Sequence, residues 1–270
     1  MPAADDYTIV ELHDIAALRE CEAIEQRVWG LSDRETVPGS QLSAAVHAGG
    51  VVAGAYRKER LIGFVYGFPS HRPELVAEAG LHSHMLAVVP EARGAGIGRR
   101  LKWFQRSWCL TRGMKWMTWT FDPLQARNAR LNLEHLGAQG TAYLTDVYGQ
   151  LGDQLGGQLP TDRLLALWQL KDERVEQLAA GGESEAVAAE DAPTALSLAE
   201  DGSPIRHRVP VGEASLSVAI PADASRMIAE DFDLALAWRL ALREVMSRCF
   251  EHGYRGARFV DGRYLFTRLP

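Results

Sequence analysis

The sequence predicts an α/β protein in which helices flank a partly parallel sheet. Stretches with the two-residue period of strands alternate with stretches of helical period from residue 7 to residue 170, and this alternation is typical of strand–helix–strand units. Hydrophobic residues make up 47% and charged residues 24% of the 270-residue chain, which is the composition of a globular protein with a buried core. The sequence contains no apolar run long enough to cross a membrane.

Local signals place the elements of the first part of the chain in order. Asp14 caps a helix that runs to about Trp29, because its carboxylate accepts hydrogen bonds from the first free amides. A second helix covers residues 96–112, where apolar residues recur at intervals of four, three and four. A third follows Pro123 and ends at Gly137, a residue type that closes helices. The predicted strands cover residues 7–12, 50–56, 61–68, 81–90, 115–121, 140–148 and 164–170.

The chain is predicted to divide into three parts, of which residues 1–171 are the first domain. Residues 172–204 contain nine acidic residues, one basic residue and no aromatic residue, so we expect a flexible acidic linker. Residues 205–270 form a small C-terminal ββαββ module, whose helix is apolar at every third or fourth position from Ala235 to Cys249. So short a module is expected to pack on the first domain or on a second subunit.

Charge and cysteine content exclude several classes of protein. The net charge of −6 at pH 7 repels polyanions, so a dedicated nucleic-acid-binding protein is not expected. Cys21, Cys109 and Cys249 are widely scattered and fit neither a disulfide framework nor a paired-cysteine metal site. The predicted compartment is therefore a reducing cytoplasm, and the amino end shows no export signal.

The most informative stretch is a glycine-rich loop between the strand at 81–90 and the helix at 96–112. Gly94, Gly96 and Gly98 let the backbone come close to a bulky anion, and the free amides at a helix start point towards it. This pattern predicts a pyrophosphate site. It fits neither the dinucleotide fingerprint, which needs glycine at position 99, nor a P-loop, which needs a Lys-Ser or Lys-Thr pair. An ordinary strand-to-helix turn is the alternative.

A longer pattern around this loop resembles a known motif. The string V-x-P-x-x-R-G-x-G-x-G is formed by Val88, Pro90, Arg93, Gly94, Gly96 and Gly98. It resembles the acyl-CoA-binding motif of the GNAT acyltransferase superfamily, written Arg/Gln-x-x-Gly-x-Gly/Ala, and the order of elements from residue 7 to 170 agrees with that fold. The stretches LHSHMLAV, WTFDPLQARNARLNLEHLGA, VYG and PTDRLLALW are similar to a subgroup of predicted GNAT proteins that continue into a C-terminal module.

The resemblance implies a GNAT-type mixed, mainly antiparallel sheet with a splayed central pair of strands, and acetyl-CoA or another acyl-CoA as cosubstrate. The loop amides would hold the pyrophosphate, and the backbone of the splayed strand would pair with pantetheine. Arg99, Arg100 and Lys102 are candidates for the 3′-phosphate, with a solvated helix face as the alternative. The implied cofactor-binding residues are Val88, Val89, Arg93, Gly94, Ala95, Gly96, Ile97, Gly98 and Arg99.

The resemblance also points to a general base. Many GNAT relatives use a carboxylate on the fourth strand, six residues before the motif's proline, and counting back from Pro90 gives His84. On a regular strand His82 and His84 point the same way as Val88, and imidazole titrates near neutral pH. We therefore expect His84, and after it His82, to be the base. Half of a metal site or a structural histidine are the alternatives, although no third ligand has suitable spacing.

Two further roles fit the family pattern less directly. GNAT enzymes often carry a tyrosine acid four residues before the glycine that ends the fourth helix, and here that position is Leu133. Tyr148 and Tyr143 are the substitutes, with sheet packing as the alternative. Asn128 is predicted to contact pantetheine, but the family position counts to Ala126, so Asn128 takes this role only if the helix register shifts.

Together these residues predict an acyl-CoA-dependent N-acyltransferase, with acetyl as the expected acyl group and succinyl or a larger group as the alternative. The acceptor is expected to be the amine of a small metabolite or amino acid, because no basic tract or peptide groove is readable. A CoA-binding regulatory or scaffold protein is the alternative function, supported by the missing tyrosine. A homodimer through the C-terminal module is the other predicted partnership, and no metal, nucleic acid or membrane partner is expected.

Overall fold

The computed structural model describes residues 7–72, 76, 78–149, 159–183, 191–209 and 212–268. The chain forms two compact units. The first comprises the described residues up to Trp119 together with residues 169–171, and the second comprises the described residues of 120–168 and of 172–268.

The first unit is built on a mainly antiparallel set of strands that lie side by side in chain order. Neighbouring strands are antiparallel from the first to the fourth, and the fourth and fifth are parallel. The strands are β1 (Thr8–Glu11), β2 (Val51–Arg57), β3 (Arg60–Ser70), β4 (Gly80–Val88) and β5 (Trp116–Phe121), whose last residues enter the second unit. The helices are α1 (Ile15–Trp29), α2 (Gly39–His47) and α3 (Ile97–Thr111).

The helices of the first unit follow from capping and apolar spacing, with one exception. Asp14 accepts hydrogen bonds from the amides of Ala16 and Ala17, as predicted for the start of α1. Helix α3 buries one apolar face, which includes Leu101 and Trp108. The exception is α2, which the sequence did not predict, since Pro38 at its start provides no side-chain cap.

The second unit contains the remaining elements. Its strands lie in the order β7-β6-β11-β12-β10-β8-β9. They are β6 (Gln139–Leu144), β7 (Arg163–Gln169), β8 (Thr194–Leu198), β9 (Pro204–Arg206), β10 (Ser215–Ala219), β11 (Tyr254–Val260) and β12 (Arg263–Arg268). The helices are α4 (Ala126–Ala129), which continues as a π-helical segment over Arg130–His135, α5 (Glu173–Ala179), α6 (Ala224–Glu230) and α7 (Phe232–Glu251).

The C-terminal elements belong to the same unit as residues 120–168. Strand β11 pairs with β12 through a turn at Asp261 and Gly262, both in the left-handed region at φ 49° and 74°. Helix α7 buries its predicted apolar stripe within this chain, including Trp238 and Leu242. That stripe is therefore not available to a second subunit, and a homodimer through this module would need other side chains.

The prediction of an unstructured linker over residues 172–204 is wrong where the structure describes it. Helix α5 and strand β8 both lie in this segment. Asp172 caps α5, and Val175 and Leu178 lie one turn apart and pack around Gly137. Because acidic residues dominate this segment, its short apolar face was not recognised in the sequence. Residues 184–190 of the predicted linker lie outside the described residues, and the boundaries at 171 and 205 stay a prediction.

The predicted mixed, mainly antiparallel sheet with flanking helices is confirmed. A parallel pair occurs in each unit, β4 with β5 and β8 with β10. The C-terminal strands exist as predicted, and α6, which was not predicted, precedes the long helix.

Candidate functional site

The loop that follows β4 exposes its backbone as an anion site requires. A 3₁₀ turn over Pro90–Ala92 leads to Arg93, and Gly94 and Gly96 then adopt the left-handed conformation at φ 84° and 75°. No atom of the described residues lies within 4 Å of the position that a Cβ would take at either glycine. A side chain there would be strained and would fill the space that a bulky ligand needs. The predicted pyrophosphate loop therefore has a fitting shape.

The start of α3 adds the positive end of a helix to this loop. The helix begins directly after Gly96, and no side chain of the described residues caps it. Its first amides have no partners within the helix, and the helix dipole favours an anion beside them. Ile97 is buried and anchors the first turn, whereas Ala95 and Gly98 are half-buried. The chain thus presents backbone amides, rather than side chains, to a phosphate group.

The basic residues around the loop differ in how far they reach solvent. Arg93 is exposed and its Nε donates to the carbonyl of Val88 over 3.2 Å. Arg99 is half-buried and Arg100 is exposed, with its guanidinium 4.7 Å from the ring centre of Tyr7. Both remain candidates for the 3′-phosphate.

Lys102 does not fit the phosphate role that the sequence suggested. Its side chain is only 2% exposed, and its Nζ lies 3.6 Å from the ring centre of Trp119. Burial holds the pKa of this ammonium well below its usual value. A side chain directed into the interior cannot meet a surface phosphate, so the expectation for Lys102 is wrong.

The two valines predicted to pair with pantetheine are not equivalent. The amide of Val89 donates to the carbonyl of Ile62 and its carbonyl accepts from the amide of Ala92, at 3.0 Å in both cases. The backbone of Val89 is therefore already engaged inside the protein. Val88 is half-buried, whereas Val89 is only 1% exposed, so Val88 is the better candidate for a backbone contact.

Strand β4 carries a bulge at the predicted base. Tyr66 of β3 pairs with Met85, and the next residue, Gly67, pairs with Ser83, so His84 is the extra residue between them. A bulge shifts the alternation of side chains by one residue. The expectation that His82 and His84 share a face with Val88 is consequently wrong.

Contacts on the two faces of β4 confirm this shift. Ser83 donates a 2.7 Å hydrogen bond to Gln105 of α3, and the side chain of Val88 lies close to Gly98 at the start of the same helix. His82 and His84 instead lie beside each other on the opposite face, with ring centres 6.2 Å apart.

The histidine face is lined by aromatic rings. The ring of Phe68 lies 5.3 Å from that of His82 and 5.8 Å from that of His84, and Tyr66 meets His84 edge-on at 5.9 Å. Sequence reasoning did not include these rings, although their alternation on β3, opposite the histidine strand, was a usable signal. Together the four rings form a histidine–aromatic cluster, defined by Tyr66, Phe68, His82 and His84.

Both histidines are neutral near pH 7. Burial lowers the pKa of His82 to about 4, and the neighbouring His84, Lys102 and Arg72 act in the same direction. Burial also lowers the pKa of His84. His82 Nδ1 lies 3.1 Å from the hydroxyl oxygen of Thr118 on β5. His84 is the more exposed of the two, so it is better placed to meet a substrate amine.

The parallel pair β4–β5 is joined near its amino end. The paired positions are Leu81 with Met117 and His82 with Thr118. Residues 83–88 of β4 continue past the last of these pairs. The implied splayed pair corresponds to this arrangement, in which the histidines lie where the pairing stops.

The candidate acids lie in the second unit. Leu133, at the usual tyrosine position, is fully buried. The hydroxyl of Tyr143 donates to Asp162 over 2.8 Å, and burial together with that carboxylate raises its pKa. Tyr148 follows a turn after β6 and is 43% exposed, with its hydroxyl 3.4 Å from that of Thr120. Tyr148 is therefore the freer proton donor of the two tyrosines.

Asn128 lies in the first turn of α4 and is exposed, whereas Asn132 is buried. The helix changes from α to π geometry at Arg130, between the two asparagines. They therefore do not present one common face, and only Asn128 is open to a ligand.

The comparison with protein families identifies the domain. Residues 13–137 match the model of the Acetyltransferase (GNAT) family. This segment is similar to GNAT acetyltransferase domains, and members of that family are N-acyltransferases that use acetyl-CoA as cosubstrate. The comparison with curated proteins gives no match.

Solved structures of GNAT proteins show weak similarity. The Salmonella typhimurium protein yncA with its cofactor acetyl-CoA is 20% identical, at a TM-score of 0.48 over 63% of this chain and 96% of that one. Arabidopsis thaliana NAA60 with a bisubstrate analogue is 16% identical, at 0.49 over 60% and 98%. The ribosomal-protein-S18-alanine N-acetyltransferase of Escherichia coli is 15% identical, at 0.48 over 62% and 95%. The family assignment rests on the matched residues and not on these structures.

Two other features are absent from the described part of the chain. No group of three or more His, Cys, Asp or Glu side chains is arranged there to hold a metal ion. None of the helices described there is long and apolar enough to span a membrane.

Proposed function

We propose that the protein transfers an acyl group, acetyl in the first instance, from coenzyme A to the amine of a small metabolite or amino acid. The observation that carries this proposal is the layout of β4. The same strand holds His82 and His84 and leads directly into the open loop at Gly94 and Gly96. The proposed base and the proposed acyl-donor loop are thus close in the sequence, on β4 and directly after it.

Each step of the reaction has a candidate group. His84, or His82 in its place, accepts a proton from the substrate ammonium, because both are neutral near pH 7. The neutral amine then attacks the thioester carbon, a C–N bond forms, and the C–S bond breaks with the electron pair going to sulfur. Tyr148 or water gives a proton to the thiolate, and the attacking nitrogen releases its second proton to solvent, which restores the donor. Amides of the loop from Arg93 to Arg99 would hold the pyrophosphate, and Asn128 would contact pantetheine.

The proposed acceptor follows from the surroundings of the base. Tyr66 and Phe68 border the two histidines, and aromatic faces cover apolar parts of a small substrate well. The sequence contains no basic tract that would attract an acidic protein partner. A protein amino terminus is the competing acceptor.

A CoA-binding regulator without catalysis is the second candidate function. It is favoured by the buried Leu133 at the usual acid position and by the bond that commits Tyr143 to Asp162. On this view Tyr148 and the histidines have no chemical role.

Thiol release separates these functions. The purified protein is incubated with acetyl-CoA or succinyl-CoA and a mixed pool of small amines, and free CoA is followed with a thiol reagent. We expect release that depends on both the acyl-CoA and the amine pool. Calorimetric binding of CoA without release would support the regulator, and release with peptides only would contradict the small-amine acceptor.

We also propose that the protein works in a reducing cytoplasm, because Cys21, Cys109 and Cys249 are free thiols in the described residues and all are buried. A homodimer through the C-terminal module stays part of the proposal. Exposed residues such as Leu240 on α7, rather than the buried stripe, would have to form its contact.

A further inference from the structure

The turn between β5 and α4 comprises residues 122–125, and two hydrogen bonds within it are present among the described residues. The carboxylate of Asp122 accepts a 2.9 Å hydrogen bond from the amide of Leu124, and its carbonyl accepts from the amide of Gln125 over 3.1 Å. Helix α4 then begins at Ala126 with no side-chain cap from the described residues. This turn therefore sets the start of α4 and the position of Asn128 within it.

Helix α7 holds the acidic residue of this turn. Arg239 donates from both terminal nitrogens to the two carboxylate oxygens of Asp122, at 2.7 and 2.8 Å. The side chain of Arg239 is 2% exposed and that of Asp122 is 19% exposed, so solvent reaches the pair only from the carboxylate side. A bidentate, charge-assisted pair constrains position and orientation more than a single bond does. The residue that closes the turn is therefore clamped from a segment more than a hundred residues later in the chain.

Strand β12 holds the neighbouring residue. The hydroxyl of Tyr264 donates a 2.8 Å hydrogen bond to the carbonyl of Pro123, and Tyr264 is fully buried. Ser225 of α6 adds a longer contact of 3.4 Å to the side chain of Gln125. Helices α7 and α6 and strand β12 thus all form hydrogen bonds with this one turn.

We propose that Arg239 and Tyr264 are positioning residues for acyl-CoA binding, which they support by fixing the β5–α4 turn. This inference rests on the proposed function, in particular on Asn128 as a pantetheine contact. The C-terminal segment is then a working part of the acyltransferase rather than an appended module.

The test uses a matched pair of tyrosines in the full chain. Tyr264→Phe removes only the hydroxyl that binds Pro123. Tyr254→Phe is the control, because the hydroxyl of Tyr254 donates an equally short 2.8 Å bond to a backbone carbonyl, that of Glu213, away from the turn. Both rings are fully buried. The two variants therefore lose the same kind of bond at different places.

Two ligands separate positioning from general damage. CoA carries pantetheine, whereas adenosine 3′,5′-bisphosphate carries only the nucleotide half, so it does not reach a pantetheine contact. We expect Tyr264→Phe to weaken CoA binding about three- to tenfold, the scale of one buried hydrogen bond, without weakening the bisphosphate. Tyr254→Phe should leave both affinities unchanged.

Other outcomes contradict the inference in distinct ways. Equal CoA affinities for the two variants, or equal loss of CoA and bisphosphate binding in Tyr264→Phe, would overturn the positioning role. Absence of CoA binding in the unmodified protein would instead overturn the proposed function itself.

A second variant addresses the clamp on Asp122. Arg239→Lys keeps the charge but cannot reproduce the bidentate geometry, and Arg248→Lys is the control, since Arg248 forms an exposed pair with Glu244 on the same helix. We expect weaker CoA binding for Arg239→Lys only. Unchanged CoA affinity in a folded Arg239→Lys would count against the clamp, and if that variant does not fold, the tyrosine pair decides.

Discussion

His82 and His84, the proposed bases, both have a pKa lowered by burial. A general base must be unprotonated before it can accept a proton, and an ordinary histidine with a pKa of 6.5 is partly charged below neutral pH. Burial among Phe68, Tyr66 and the sheet lowers the pKa of both histidines. The free base is therefore the dominant form at pH 7, and activity should decline only in acid.

Replacing His84 by alanine should have the largest catalytic effect among the titratable residues. Loss of a general base typically lowers the rate about 10²- to 10⁴-fold, so kcat should fall by that order while CoA affinity changes little. The acidic limb of the kcat/KM profile, which we expect below pH 6.5 because the pKa of His84 is lowered, should disappear. Steady-state kinetics at about a dozen pH values between 5 and 8 give kcat and the pH dependence of kcat/KM.

His82→Ala is the internal control for this prediction. Its imidazole is held near Thr118 and is less exposed than that of His84, so we expect a smaller effect. A larger loss of rate in His82→Ala than in His84→Ala would assign the general base to His82 instead. If neither variant changes the rate or its pH dependence, no histidine on β4 is the base.

The roles of some residues could be predicted from the sequence, whereas the burial of others could not. The spacing of glycines and the position of His84 could be read from the sequence, because both depend on short stretches of chain. The burial of Lys102 could not, because a lysine on an amphipathic helix is normally solvated. Its ring partner, Trp119, comes from a strand 17 positions later, and no local pattern connects the two.

Among the elements, α2 depends on its neighbour for a cap. Glu25 of α1, fully buried, accepts a 2.8 Å hydrogen bond from the amide of Val37, and Glu22 accepts from the amide of Gly39. Carboxylates near a helix start satisfy free amides and favour its dipole. Glu35, the carboxylate nearest to Pro38 in the sequence, accepts from Ser32 instead. The bonds at the start of α2 therefore come from another helix, which explains why α2 was not predicted.

This cap should make the stability of the protein depend on pH. Burial raises the pKa of Glu25 from 4.5 to about 7, so the folded state binds this proton more strongly than the unfolded state does. The stabilisation is complete below pH 4.5 and is lost as the pH rises through about 7. Glu25→Gln cannot ionise and should keep the bond from Val37, so it should be the more stable form at pH 8.

Thermal unfolding of the two proteins measures this difference. The difference in Tm between Glu25→Gln and the unmodified protein should increase by a few degrees from about pH 5 to pH 8. A free-energy change of about 1 kcal/mol shifts Tm by about 2 to 4 °C in a chain of this size. Parallel Tm curves over that range would show that Glu25 does not titrate in the folded protein near neutral pH.

Irregular elements explain the other differences from the sequence predictions. The bulge at His84 and the π-helical segment at Arg130–His135 each change the register of an element that the sequence identified correctly. A regular two-residue or 3.6-residue period cannot reveal such an insertion. The existence and bounds of β4 and α3 were predictable, but the direction of individual side chains past the bulge was not.

In the whole molecule, the contacts of the C-terminal part could be predicted only in outline. Its helix α7 and its last hairpin were predicted from apolar spacing and the Asp261-Gly262 turn. Packing of the module on the first domain or on a second subunit was expected, but residues 120–168 were not singled out as its partner, because the contact depends on long-range ion pairs such as Arg243 with Asp162, which meet at 2.8 Å. Such contacts join residues far apart in the chain and leave no local signal.

The loop after β4 is proposed to bind acyl-CoA. Gly96→Glu tests it, because the new carboxylate would occupy the open space above the loop and repel the pyrophosphate. Gly113→Glu is a close control: Gly113 has φ 76° against 75° for Gly96, and no described atom lies within 4 Å of a Cβ at either position. Both variants carry the same charge and the same backbone strain at opposite ends of α3.

The decisive measurement is calorimetric titration of CoA into the unmodified protein and these two variants, each with its circular dichroism spectrum as a check on folding. We expect binding by the unmodified protein and by Gly113→Glu, and loss of binding in a folded Gly96→Glu. Unchanged CoA affinity in Gly96→Glu, with a native spectrum, would contradict it.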